Sequence, residues 1–235
     1  MTFRVGTSGY NYPEWKGSFY PADLPAARML AYYAERFGTV EINATFYRMP
    51  TPKTLGGWAS TVADGFTFAL KAPQRITHFA RLRDVDEPVR YLCDTARTLG
   101  SKLGPLLFQL PPNFRKDVAR LTDLLALLPP DLTYAFEFRH ESWFDDEVYD
   151  RLRARSAALC IADTDKGTTP LVATGAIGYV RLRDEGYDDR DLARWIDTLR
   201  RLGGAWRDAF VFFKHEESGK GPAFAKRFEE LVATT

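Results

Sequence analysis

The sequence predicts a TIM-like (β/α)8 barrel, and three observations lead there. At 235 residues the chain has the length of one α/β barrel. Eight short runs rich in β-branched and aromatic residues recur at 3–7, 39–43, 66–71, 105–110, 133–139, 157–163, 177–183 and 209–214. Helix-length patterns separate most of them, and that alternation selects parallel strands joined by crossovers.

The helical patterns follow in order. MLAYYAERFG from Met29 spaces apolar groups at helical intervals and stops at Gly38, and RLTDLLALL from Arg120 does so before Pro129 and Pro130. Similar stretches cover 87–99, 145–155, 189–202 and 222–232. Between the sixth and seventh strands, residues 164–176 (TDKGTTPLVATGA) contain Gly and Pro that oppose a full helix, so an irregular crossover is expected there. No repeat or flexible linker divides the chain, and one domain over 1–235 is the expectation.

Composition narrows the function classes. Hydrophobic residues at 45% and charged residues at 27% are ordinary globular usage. With 32 Lys and Arg against 31 Asp and Glu, the formal charge is +1, which excludes a polycation that coats nucleic acid and makes any electrostatic recognition local. Cys93 and Cys160 form neither a CxxC pair nor a disulfide framework and read as buried thiols of a reducing compartment. The N-terminus lacks a basic-then-apolar leader, and no run approaches the roughly 18 apolar residues of a membrane span. A soluble, cytoplasmic protein is expected.

Barrel enzymes collect their active groups at the C-terminal ends of the strands, and strand parity decides which side chains point inward. Val40 and Ile42 share the outer face, leaving Glu41 and Asn43 inward; Phe68 and Leu70 oppose Thr67, Ala69 and Lys71. Leu106 and Phe108 face outward and Gln109 inward, while Tyr134, Phe136 and Phe138 leave Glu137 and Arg139 inward. Asp163 is assigned inward in the same way, as are Arg181 and Arg183 opposite Val180 and Leu182. Lys214 and His215 end the eighth strand, where aromatic neighbours leave parity open.

These charges require neutralising partners or hydration around a ligand. A structural ion-pair lattice is one reading. The leading one is a functional mouth: Glu41, Glu137 and Asp163 as catalytic carboxylates, with Asn43, Lys71, Gln109, Arg139, Arg181 and Lys214 as substrate-binding groups. In HEESGKGPAF, Gly219, Lys220 and Gly221 precede a helix opened by Pro222, so their backbone NH groups would bind phosphate; a plain turn is the alternative. GYNYPEWKGSFYP offers Tyr10, Tyr12, Trp15 and Tyr20 as an aromatic rim with Lys16 beside it, or else a packed closing loop. No organic-cofactor motif is present; His78, His140 and His215 follow strands, but without the compact spacing of a ligand motif a metal is not the favoured reading.

The segments GTSGYNYPEWKGSFYP at 6, TVEINATFYRMP at 39, FTFALKAPQRITH at 66, KLGPLLFQLPP at 102, FEFRHESWF at 136 and ALCIAD at 158 resemble the YecE-like family, also called domain of unknown function seventy-two, over nearly the full chain. The resemblance implies a TIM-barrel-like fold and a shared site of Glu41, Asn43, Lys71, Gln109, Glu137, Arg139 and Asp163; it implies no defined activity. FVFFKHEE at 210 departs from the asparagine-rich ending of that family at Lys214 and His215. The functional expectation is an enzyme, a hydrolase, acting on a phosphorylated or otherwise anionic small molecule or nucleic-acid fragment. A noncatalytic module for such ligands and a structural scaffold are the alternatives.

Overall fold

The computed structural model describes all residues except Lys166, Ala205, Glu216–Ser218 and Thr235. Eight parallel strands close a barrel: β1 (Thr2–Ser8), β2 (Thr39–Ile42), β3 (Thr67–Lys71), β4 (Leu103–Gln109), β5 (Tyr134–Glu137), β6 (Ala158–Thr164), β8 (Ile177–Leu182) and β9 (Asp208–Phe213). Their order is β5-β4-β3-β2-β1-β9-β8-β6, and β6 pairs back onto β5 to close it. The two-residue β7 (Gly167–Thr168) folds antiparallel onto β6.

Around the barrel run α1 (Met29–Ala34), α2 (Pro52–Thr61), α3 (Asp86–Ala96), α4 (Val118–Leu127), α5 (Asp146–Ala154), α6 (Asp189–Leu202) and α7 (Lys220–Thr234). The expected irregular crossover is real: β6 reaches β8 through the β7 hairpin and coil, with no helix among its described residues. Helix α2 is absent from the sequence expectation because Gly56 and Gly57 break its pattern. It forms nonetheless, capped by the Thr51 hydroxyl on the Thr54 NH, with Pro52 at its first position and Leu55 buried against the barrel. The most amphipathic helix, α6, opens with a reciprocal capping box between Asp188 and Asp191.

The core has two layers set by strand parity. Val40, Phe68, Leu106, Phe108, Phe136, Val180 and Leu182 belong to the outer layer beneath the helices. Ala69, Leu107, Ala135, Ala158, Cys160, Ile177, Tyr179, Phe210 and Phe212 fill the barrel interior. Parity thereby settles the eighth barrel strand, because Lys214 continues the inward series of Phe210 and Phe212. It also corrects one assignment. Leu159 and Ile161 face outward, so Asp163 shares their outer face and does not enter the barrel.

The aromatic segment after β1 divides between its two readings, a rim and a packed closing loop. Trp15 and Tyr20 are buried, with Trp15 against Tyr12 and Phe19, and only Tyr10 and Tyr12 remain to line the mouth. Both cysteines are free and buried, as expected. No described helix is long and apolar enough to cross a membrane.

Backbone approach sets one strict sequence requirement. A Cβ on Gly6 would lie 2.1 Å from the Thr39 carbonyl oxygen of the neighbouring strand, whereas one on Gly57, on the exposed side of α2, would meet nothing within 4 Å. Gly6→Ala is expected to cost about 1–3 kcal/mol through forced strand separation, and Gly57→Ala to stabilise by roughly 0.5–1 kcal/mol through helix propensity. Urea unfolding of both variants checks this; a neutral Gly6→Ala would show that β1 and β2 have slack.

Candidate functional site

At the C-terminal end of the barrel, one guanidinium ties three walls together. Arg181 of β8 donates from Nη1 to Glu137 Oε2 of β5 at 2.5 Å and from Nη2 to Glu41 Oε1 of β2 at 2.8 Å. All three side chains are at most 1% exposed. The Tyr179 hydroxyl, two residues earlier on the same inward face, donates to the second Glu41 oxygen at 2.6 Å. Glu137 Oε1 accepts from Gln109 Nε2 at 2.9 Å, Arg139 Nε at 3.0 Å and Arg183 Nη2 at 2.9 Å.

These contacts decide the ionisation of the carboxylates. Burial by itself would raise the pKa of Glu41, but Arg181 and the Tyr179 hydroxyl prevail and hold it low. For Glu137 burial is likewise opposed, by Arg181, Arg183 and Arg139, and its carboxyl is held well below the usual range. Both oxygens of Glu137 are filled by donors. Neither carboxylate has the raised pKa a general acid needs near neutrality.

Above this layer opens a cavity of about 400 Å³, lined in part by Asn43, Lys71, Arg139, Arg181 and Lys214 and walled by aromatic rings. The β2 turn Ala44–Phe46 is pinned to β3 by the Thr45 hydroxyl, which donates to the carbonyls of Ile42 and Lys71. This holds the Phe46 ring under Lys71, whose Nζ lies 4.0 Å from the ring centroid. No carboxylate of a described residue lies within ion-pair distance of Lys71. Burial, reinforced by Arg181 and only partly offset by Glu41 and Glu137, lowers its pKa to about 7. Two donors at this level, Asn43 Nδ2 and Arg181 Nε, are buried without an acceptor among the described residues.

Seven residues named from the sequence therefore converge: Glu41, Asn43, Lys71, Gln109, Glu137, Arg139 and Arg181. Lys214 joins them at the cavity wall. Arg139 lies beyond the end of β5 and is 36% exposed, so it belongs to both the lattice and the cavity. Four others are elsewhere. Asp163 accepts from Thr168 at 2.5 Å and Tyr187 at 2.6 Å in an outer groove between the β7 hairpin and α6. Gly219, Lys220 and Gly221 do not line the cavity: α7 packs outside β1 and β9, which sets Gly219 against Ser18 and Gly221 against Thr7 and His215. Ser218, the first residue of that SGKG turn, lies outside the described residues.

The histidines do not meet. His215 Nε2 donates to the Asp184 carbonyl, His140 Nδ1 accepts from Ser142 N, and His78 stands edge-on to Phe46. Among the described residues no three His, Cys, Asp or Glu side chains group as metal ligands would. Sequence reasoning missed Tyr179, although its spacing from Arg181 gives the signal, and it missed Phe46, Tyr47 and Trp58, which lie on loops and α2 where parity says nothing.

Glu137→Gln is expected to destabilise the fold by about 3–5 kcal/mol, since it leaves three arginines short of a buried countercharge. Because folding lowers the Glu137 pKa, its stabilisation is present above about 4.5, the ordinary value, and lost as pH falls through the folded-state value. Urea titrations at pH 7 and pH 3 should show the difference between wild type and variant shrinking in acid; a variant of wild-type stability at pH 7 would refute the lattice role.

Known proteins share this architecture. The chain is 30% identical to the UPF0759 protein YecE of Escherichia coli K12 over 141 residues, 60% of this chain and 49% of YecE, so the match spans about half of that relative. It is 24% identical to the UPF0759 protein YunF of Bacillus subtilis over 268 aligned positions, covering 97% of this chain and 94% of YunF. The crystal structure of a DUF72 family protein from Thermotoga maritima superposes with a TM-score of 0.87 at 25% identity, covering 99% of this chain and 100% of that one. One from Enterococcus faecalis, at 17% identity with a TM-score of 0.79 and coverage of 100% and 98%, shares the fold. The family model described as protein of unknown function DUF72 matches residues 4–235, and with these full-length likenesses it establishes that the chain belongs to the DUF72, or YecE-like, family.

Proposed function

We propose that the barrel mouth binds a small anionic molecule and that Lys71 carries proton transfer in a hydrolytic reaction on it. The observation that carries this reading is a lysine that has no carboxylate partner among the described residues, in a cavity whose floor already has more guanidinium than carboxylate groups. Among the described residues, Arg139, Arg181 and Arg183 pair with Glu41 and Glu137, a surplus of one positive charge before Lys71 is added. An anion placed there meets Lys71, Arg139 and Asn43 Nδ2, a donor that has no acceptor among the described residues.

Glu41 and Glu137 serve in this reading as the countercharges that aim the arginines. Neutral Lys71 accepts the proton of the attacking water, Arg139 offsets the negative charge that develops, and the proton then passes to the leaving group. Asp163 and the 219–221 turn take no part. A noncatalytic anion-binding module is the second reading, favoured by the fact that both mouth carboxylates are committed to arginines.

Sulfate, which does not titrate near neutrality, is the probe. Its affinity should fall as pH rises through about 7, approaching tenfold per unit above that value, because Lys71 loses its charge. Lys71→Met should bind weakly and without that pH dependence. Folding stability carries the opposite sign: between about 7 and 10.5 the unfolded chain holds the Lys71 proton more tightly, so wild type gains stability with rising pH relative to Lys71→Met. Calorimetric titration and turnover of phosphomonoesters and phosphodiesters at pH 8 test both halves. Equal sulfate affinity in wild type and variant would overturn the site; sulfate binding with no Lys71-dependent turnover would favour the binding module.

A further inference from the structure

The cavity walls specify more about the ligand than its charge. Five of the lining side chains are aromatic: Tyr10, Tyr12, Phe46, Tyr47 and Trp58. Most are already engaged. Phe46 holds Lys71 on its face, Tyr12 packs on Trp15 and donates its hydroxyl to the Ser8 carbonyl, and Trp58 stacks on Phe68 with ring centroids 6.0 Å apart. Tyr47 differs: it is 75% exposed, and its ring contact is with Phe46 at 86° between planes. A single exposed aromatic ring on a surface is ordinary. Here it stands at the edge of a concave cationic site and is carried by the same pinned turn that fixes Lys71 over Phe46.

We propose that the ligand is an aromatic anion, whose planar ring stacks on Tyr47 beside Trp58 while its negative group meets Lys71 and Arg139. This rests on the anion-binding reading above and adds the class of molecule. Three physical points support a π-faced group over an aliphatic one. An offset stack on tyrosine gains energy beyond area burial; the cations beside it attract the negative face of a ring; and a cavity of about 400 Å³ suits one ring with its charged group.

The test titrates wild type, Tyr47→Ala and Tyr47→Phe with inorganic phosphate, phenyl phosphate and cyclohexyl phosphate. Phenyl phosphate should bind roughly tenfold tighter than cyclohexyl phosphate, which has similar bulk and the same charge but no π face. Tyr47→Ala should erase that preference and leave inorganic phosphate unchanged, and Tyr47→Phe should keep it. Adenosine monophosphate as a further arm separates a nucleotide source, if it binds tighter than phenyl phosphate, from a simple aryl anion, if weaker; both support an aromatic anion. Equal binding of phenyl and cyclohexyl phosphate, or a phenyl preference that survives in Tyr47→Ala, would overturn the proposal. Phosphate binding with no phenyl preference leaves the anion site standing without the ring. Tyr47-dependent competition by neutral phenol, with no phosphate bound at all, would keep the ring site and remove the anion reading.

Discussion

The arrangement of the mouth depends on one buried guanidinium. Arg181 crosses the barrel from β8 to carboxylates on β2 and β5, strands that are not its neighbours in the sheet. Moving such charges out of water costs several kcal/mol per ion, and only near-complete hydrogen bonding offsets it. The surrounding residues supply that bonding: Tyr179 fills the second oxygen of Glu41, and Gln109, Arg139 and Arg183 fill Glu137. Beneath them the interior is apolar, with Ala69, Leu107, Ala135, Ile177, Phe210 and Phe212, so the lattice separates an apolar plug from the cavity above.

Lys71 follows from this lattice. With both carboxylates drawn to arginines, Lys71, the next inward residue on β3, has no carboxylate partner among the described residues, and Phe46 offers it a ring face in place of a countercharge. Desolvation then brings its pKa into the range where proton transfer is easy. His78, edge-on to the same Phe46 ring, is also shifted down, first by burial and then by Lys71 and Arg139. Among the described residues the mouth thus carries more cationic than carboxylate groups.

The barrel is not symmetric, and the asymmetry explains where Asp163 goes. Where a helix would cover β6 and β8, the chain makes the β7 hairpin and a coil, and the Asp163 carboxylate binds Thr168 of that hairpin and Tyr187 ahead of α6. It fastens the irregular crossover to the neighbouring connection. The hairpin borders a second depression that shares Glu137, Arg139 and Arg183 with the lattice, so the two sides of the mouth meet at Arg139.

Periodicity alone determined the barrel, its eight strands and nearly all of its inward charges, because a period of two assigns faces without any distance. Glu41, Lys71, Gln109, Glu137 and Arg181 were legible in this way from the outer partners Val40, Leu70, Phe108, Phe136 and Val180. Helix α2 was hidden by Gly56 and Gly57, and tertiary burial of Leu55 overrides that weak local preference. Asp163 was misplaced through a parity assigned from the strand end rather than from Leu159 and Ile161. Only the tertiary structure decided who pairs with whom: Glu41 and Glu137 look alike in sequence as candidate catalytic acids, yet Arg181 reaches both and binds them as ions. Only closure of the barrel brings β8 opposite β2, and no local pattern encodes a contact between residues 140 positions apart.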